Sequence, residues 1–282
     1  MLLDSKNIPE IQRLLDAGTP AAFEKIRDAE TTLTTSLFLA LAHRSFLNSG
    51  DGQLARNIAQ LGLPGIQRGI DCLDSARRIS PNAFRSPSFD LYRIGSKEDL
   101  LNHEWILFYE RFRRTAANGR KGNMFRGVAG VLGEMGDNVV CHAFEAEDKP
   151  CPALAGFHIA GDVASFCVAD CGQGFLRSLR RSPSWAGLTS DSDALDAVVN
   201  KHATSRPGEA TGGGFRQLFN SLLDFNGLVI LRSGGCSYQL QNTGTGVRRQ
   251  TSREFKHVTG SAITVIISPR QQPGEVPLKD SI

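Results

Sequence analysis

Residues 163–175 read VASFCVADCGQGF. The run from Val163 to Ala169 is almost wholly apolar and short, which predicts a buried strand. The strand hands over to Asp170, with Gly172 and Gly174 two and four residues beyond. One carboxylate is thereby set at the end of a buried strand, and the glycines let backbone approach a flat ligand closely. A carboxylate so placed can accept a hydrogen bond from an exocyclic amine such as that of adenine; the plainer reading is a capped turn. Immediately upstream, Ala155 to Ala160 predicts a partner strand, and Gly161-Asp162 between the two is a Gly-first pair suited to a tight hairpin.

Outward on the amino-terminal side, residues 125–144 predict a helix. Val128, Val131, Leu132, Met135 and Val139 fall on one side of it and mark a core face. Glu134, Asn138 and His142, spaced by four, form a polar ridge beside that face, placed to line a pocket. On the carboxy-terminal side, residues 192–202 predict a helix capped by Asp191 or Ser192. Residues 207–215, PGEATGGGF, open another whose buried face is Phe215, Leu218, Phe219 and Leu222, with Gly227 as its stop. Exposed amides at such a glycine-rich helix start favour phosphate oxygens, and a flexible linker is the plainer reading. Residues 228–232, 237–241 and 262–267 predict strands, the last entered through Gly260-Ser261.

These four features, in this order and approximate spacing, resemble the GHKL (Bergerat-fold) ATPase family, which includes the ATP-binding domain of histidine kinases. Glu134, Asn138 and His142 look like its N box. Asp170, Gly172 and Gly174 look like its first glycine box, and Gly212, Gly213 and Gly214 like the second, at the end of the ATP lid. Gly260-Ser261 looks like the Gly-Thr pair before the last strand. The resemblance implies an α/β fold, a two-layer sandwich of a mixed sheet with helices on one face, over residues 121–270. It implies ATP and Mg2+ as ligands. Asp170 would bind the adenine amine with Ser261 nearby, Asn138 would hold the magnesium ion, and His142 would touch a phosphate. Gly212, Gly213 and Gly214 would supply lid amides, with Arg206 adding charge, and Glu134 would orient or deprotonate the attacking group. The chain departs from the family pattern in GGGFRQL at the lid end and in Ser261 for Thr.

Residues 1–120 predict a mainly helical region that binds a partner or senses a signal. Within it a helix starts at Ser96, where Asp99 completes a capping box, and carries the stripe Leu101, Trp105, Phe108 and Phe112. Residues 271–282 form a polar, flexible tail.

Bulk composition excludes other classes. A net charge of +3 over 282 residues gives no strong field toward nucleic acid or acidic membranes. The arginine clusters at 111–114, 177–181 and 248–253 read as solvated faces and form no aromatic-basic recognition motif. No apolar run is long enough to span a membrane, and the opening MLLDSKNIPEIQRLL lacks the order of an export leader. Six cysteines without CxxC spacing suit a cytoplasmic protein. An ATPase driving a conformational or dimerisation switch is the first functional expectation. A kinase acting on a separate protein is the second, and a non-catalytic ATP-gated regulator of a protein partner the third. A histidine acceptor within the chain is disfavoured, because His103 leaves little room for a hairpin before Glu134.

Overall fold

The structure, a computed structural model, describes residues 50–60, 89–117, 126–143, 153–160, 163–205, 213–222, 225–242, 247–252 and 258–269, with a few isolated positions between 2 and 71. Arg206, Gly212 and the tail after residue 269 lie outside the described residues. So does most of residues 1–88 of the expected helical region, where one short helix, α1 (Gly52–Ala59), and a two-residue parallel pair, β1 (Leu2–Leu3) and β2 (Glu30–Thr31), are described.

The described remainder is mixed α/β, built on one antiparallel sheet. Its strands are β3 (Phe89–Ile94), β4 (Ala153–Ala160), β5 (Val163–Asp170), β6 (Phe225–Gly234), β7 (Cys236–Asn242), β8 (Val247–Ser252) and β9 (Val258–Pro269), in the order β3-β4-β5-β9-β6-β7-β8. The expected mixed sheet is corrected: every pairing in it is antiparallel. β9 causes this by inserting between β5 and β6, running opposite to both. Short links do the rest, since Ala160 pairs with Val163 and Ser233 with Cys236, and neighbours joined that tightly must reverse direction.

Helices α2 (Lys97–Leu101), α3 (His103–Ala117), α4 (Arg126–His142), α5 (Gly174–Leu179), α6 (Asp191–Lys201) and α7 (Gly213–Leu222) accompany the sheet. Their apolar residues share one core with alternate strand residues that stand in register: Phe157 beside Phe166, Phe166 beside Val265, Val265 beside Val229, and Val229 beside Leu240. Period-two alternation puts all of these on the same face. The other face is buried too, at Leu154, Cys167, Ala169 and Ile230, as the near-continuous apolar run of β5 requires. Rings of Tyr92, Trp105, Phe108, Phe157, Phe112 and Phe166 touch in that order at centroid distances of 5.2–5.8 Å, joining β3, α3, β4 and β5. Each such ring contributes on the order of 2–3 kcal/mol by burial.

Thus β3, α2 and α3, assigned above to the region before residue 120, are built into the same core as α4 and β5. The charged sequence of β3, FDLYRI, hid a strand whose Asp90 is buried against the Arg111 guanidinium of α3 at 2.5 Å. The helix expected from Ser96 is two helices. Asp99 accepts from the Ser96 amide at 3.0 Å as a capping box requires, but Asn102 is extended (ψ 156) and resets the helical phase. Trp105, Phe108 and Phe112 are buried, while Leu101, expected beside them, is 82% exposed. Two caps also move. Ser190, not Asp191 or Ser192, caps α6 by accepting from the Asp193 amide. Gly227 lies inside β6 and does not stop α7, which ends at Leu222.

Candidate functional site

The floor of the site forms where β5 ends. Asp170 stands in register with Ser261 of β9, and the Ser261 hydroxyl donates to the Asp170 carboxylate at Oδ2. The Gly172 amide donates to Oδ1 at 2.7 Å. The expected nearness of Ser261 is therefore direct contact. Gly260 makes it feasible: its φ is +95°, and a Cβ there would lie 1.9 Å from the Asp170 carbonyl oxygen. Only a glycine lets β9 pass so close while delivering Ser261 to the carboxylate. Asp170 is buried at 3% exposure. Burial pushes its pKa up to about 6, against the opposing pull of the Ser261 hydroxyl and the Gly172 and Ser261 amides.

The wall is α4. Val131, Leu132, Met135 and Val139 bury its core face, which leaves Glu134, Asn138 and His142 on the neighbouring ridge, Glu134 exposed and the other two half-buried. The loop after β5 clamps the end of this helix to the floor. A Cβ on Gly172 would lie 2.4 Å from the Ala143 carbonyl oxygen, and the Gln173 side-chain amide donates to the His142 carbonyl at 2.5 Å. Gly172 therefore serves the close packing of loop on helix.

Floor and wall enclose a cavity of about 390 Å³, within the range of small-molecule sites. Glu134, Asn138, His142, Asp170, Gly174 and Ser261 all line it. Its remaining surface is largely apolar, supplied by residues such as Phe175, Leu179, Val198, Phe215 and Ile263, with the rings of Phe175 and Phe215 meeting edge to face at 5.7 Å. Gly172 does not line it; Gly213 and Gly214 open α7, which presents Phe215 to the cavity. No arginine of the three clusters lines it among the described residues. Arg111 and Arg113 are engaged by Asp90 and Glu110, Arg180 by the Leu188 carbonyl and Arg249 by Asn200.

Comparison with known protein families finds no family model that matches the chain, and comparison with curated proteins finds none that matches it.

Two further serines line the cavity and were not singled out above. Ser205 Oγ lies 2.9 Å from Nδ1 of His142, and Ser178 Oγ lies 3.4 Å from Ser205 Oγ. A serine in a loop and a serine in a six-residue helix carry no periodicity or spacing that would mark them. Gln173, between the two glycines of the first box, was also passed over.

The arrangement can hold a flat, amine-bearing ring over a fixed carboxylate, with an amide, an imidazole and a second carboxylate along the wall for the rest of the ligand. Cys167 takes no part: its side chain is on the opposite face from Asp170, in contact with Thr264, and burial pushes its thiol up to about 12.

Proposed function

We propose that this domain binds ATP with magnesium in the cavity between β5, β9 and α4, and that it is a two-layer sandwich of the GHKL class. The observation that supports the reading is the meeting of Asp170 and Asn138 on one cavity. These residues come from separate elements and were expected to share a ligand from their motifs alone. Asp170 is the acceptor for the adenine amine, and the apolar residues around it exclude water from the ring. A guanine carbonyl at that position would face the carboxylate with no hydrogen to donate, so adenine is preferred.

Magnesium fits the donor set. No group of three or more His, Cys, Asp or Glu side chains that could hold a metal occurs among the described residues. An ion here would lean on phosphate oxygens and water with Asn138 as its protein ligand, as Mg2+ commonly does. Among the described residues the Asn138 side-chain amide makes only a long contact with the Met135 sulfur at 4.0 Å, and the residue lines the cavity, where its carbonyl oxygen can serve as a ligand. Magnesium supplies charge neutralisation of the phosphates when bound.

Glu134 decides between binding and turnover. It is exposed at the cavity wall, where it can orient and deprotonate a water or a hydroxyl brought by another protein. Hydrolysis driving a conformational or dimerisation switch is the favoured use. That exposure also suits the second reading, a kinase acting on a separate protein. The test is purified protein with magnesium and γ-labelled ATP, following released phosphate and label on protein. Phosphate release supports the switch ATPase. Label appearing only on an added partner supports the kinase. Binding with neither makes the protein an ATP-gated regulator, and no calorimetric binding of ATP overturns the proposal. Binding equally tight with and without magnesium would remove Asn138 from the metal's ligands.

A further inference from the structure

We infer that Ser178, Ser205 and His142 form a hydrogen-bond relay that holds His142 in its Nε2–H form, and that Ser205 is a positioning residue for the contact between His142 and phosphate. The inference rests on the nucleotide reading above and goes beyond it to a particular proton and to residues outside the family motifs.

The relay follows from counting hydrogens. A serine hydroxyl has one to give. The Ser178 hydroxyl donates to Ser205 Oγ at 3.4 Å, and Ser205 Oγ lies 2.9 Å from His142 Nδ1. Ser178 is itself 3.5 Å from Nδ1, the outer limit of a bond. If Nδ1 carried the ring proton, the chain would run backward from Nδ1 to Ser205 to Ser178, and the Ser178 hydrogen at its end would meet no acceptor among the described residues. The consistent direction is Ser178 to Ser205 to Nδ1. A neutral imidazole that accepts at Nδ1 carries its hydrogen at Nε2. The ring is then a directed donor in the cavity it lines, the form an anionic phosphate oxygen requires.

Two features show that Ser205 is delivered to this spot by the fold. The α6 helix stops at His202 in the left-handed conformation (φ 52°), and the Ala203 amide folds back onto the Ala197 carbonyl at 3.1 Å. That stop turns the chain onto the cavity, where Ala203, Thr204 and Ser205 all contribute to the lining. At the other end, Gln173 fixes the His142 backbone through its carbonyl. Ser205 therefore ties the segment leaving α6 to the last turn of α4.

The test has one arm that needs no nucleotide. Long-range nitrogen–proton spectra of the full-length 15N-labelled protein at pH 8.5, with His142 assigned through His142→Gln, should show a pyridine-type Nδ1 and a pyrrole-type Nε2. Ser205→Ala should erase that preference and Ser205→Thr should restore it. In the second arm, Ser205→Ala should weaken binding of magnesium ATP by about three- to tenfold, the effect of misdirecting one hydrogen bond, while adenosine binding stays within about twofold. A pyrrole-type Nδ1 in the unaltered protein overturns the relay. So does equal loss of adenosine and ATP affinity, or a folded Ser205→Thr as weak as Ser205→Ala. Failure of the unaltered protein to bind either compound instead overturns the nucleotide reading and the phosphate half of the inference, with the tautomer result standing by itself.

Discussion

The floor and the wall of the cavity are built on opposite principles. At the floor, Asp170 is almost wholly buried, both of its oxygens accept hydrogen bonds, and its neighbour Gly260 passes within a distance no side chain would permit. On the wall, Glu134 is exposed and the amide of Asn138 has, among the described residues, only a long contact with sulfur. A group that must read one shape gains from being held in advance, because nothing has to be ordered when the ligand arrives. Groups that must follow phosphate, metal and an attacking oxygen gain from staying hydrated and adjustable. On the nucleotide reading proposed above, the difference assigns recognition to the sheet and chemistry to one helix edge.

The sharpest way to break the floor is Gly260→Ala. Its φ of +95° strains any side chain, and the new methyl would meet the Asp170 backbone. We expect a loss of at least about 3 kcal/mol, seen as a fall in the urea midpoint, with nucleotide binding lost alongside. Gly187, which has nothing within 4 Å of an added Cβ, is the control: Gly187→Ala should stay within about 0.5 kcal/mol.

Asp170→Asn separates recognition from stability. It removes a charged acceptor, so ATP affinity should fall by the equivalent of about 1.5–3 kcal/mol in calorimetric titration. Stability should move the other way above neutrality, because the variant no longer buries a charge. The sign follows from linkage. The folded-state pKa of Asp170 is raised to about 6 from the ordinary 3.8. Its favourable contribution is complete below the unfolded value and is lost as pH rises through the folded one. Between about pH 4 and 6 the folded protein should therefore lose roughly 3 kcal/mol from this group, and Asp170→Asn should flatten that part of the profile. ATP binding should run the opposite way, weakening as pH falls through about 6, because the added proton would compete with the Ser261 and Gly172 donors and the ligand amine. A pH-independent affinity in a folded protein would take Asp170 out of the site.

How far each half could be read beforehand follows the same division. The floor announced itself locally: an apolar run ending in Asp170 and two glycines is a short pattern with one sensible geometry. The ridge Glu134, Asn138, His142 was equally visible from its spacing by four. What joined them was hidden, because Ser261 reaches Asp170 across 91 residues of chain, and nothing in a strand's own composition names its neighbour. The same holds for β9 parting β5 from β6, which turned an expected mixed sheet antiparallel. The strands β3 and β8 were missed because edge strands carry charge, as Asp90, Arg93, Arg248 and Arg249 do here, and so mask their alternation. Leu101 was misplaced by a single extended residue, Asn102, that no helical wheel anticipates. The role of Gly172 shows a subtler limit. A glycine near a ligand and a glycine under a helix end look alike in sequence, and the backbone of Ala143 decides the matter.

The smallest expected change in affinity belongs to the wall. Glu134 is exposed and makes none of the contacts that define the floor, so Glu134→Ala should alter ATP binding by no more than about twofold and leave the unfolding midpoint within about 0.5 kcal/mol. Its effect should appear in the rate of phosphate release. Removing a positioned general base typically costs about 10²–10⁴-fold, and because the ligand remains bound, that loss should fall on kcat with KM unchanged. Glu134→Gln adds a finer cut, since its amide can still orient a water but cannot take the proton. A Gln variant as slow as the Ala variant would assign Glu134 the proton, whereas a Gln variant close to the unaltered rate would assign it orientation alone. If both variants turned over ATP at the original rate, the wall would be a binding surface like the floor, and the contrast between the two would reduce to one of burial.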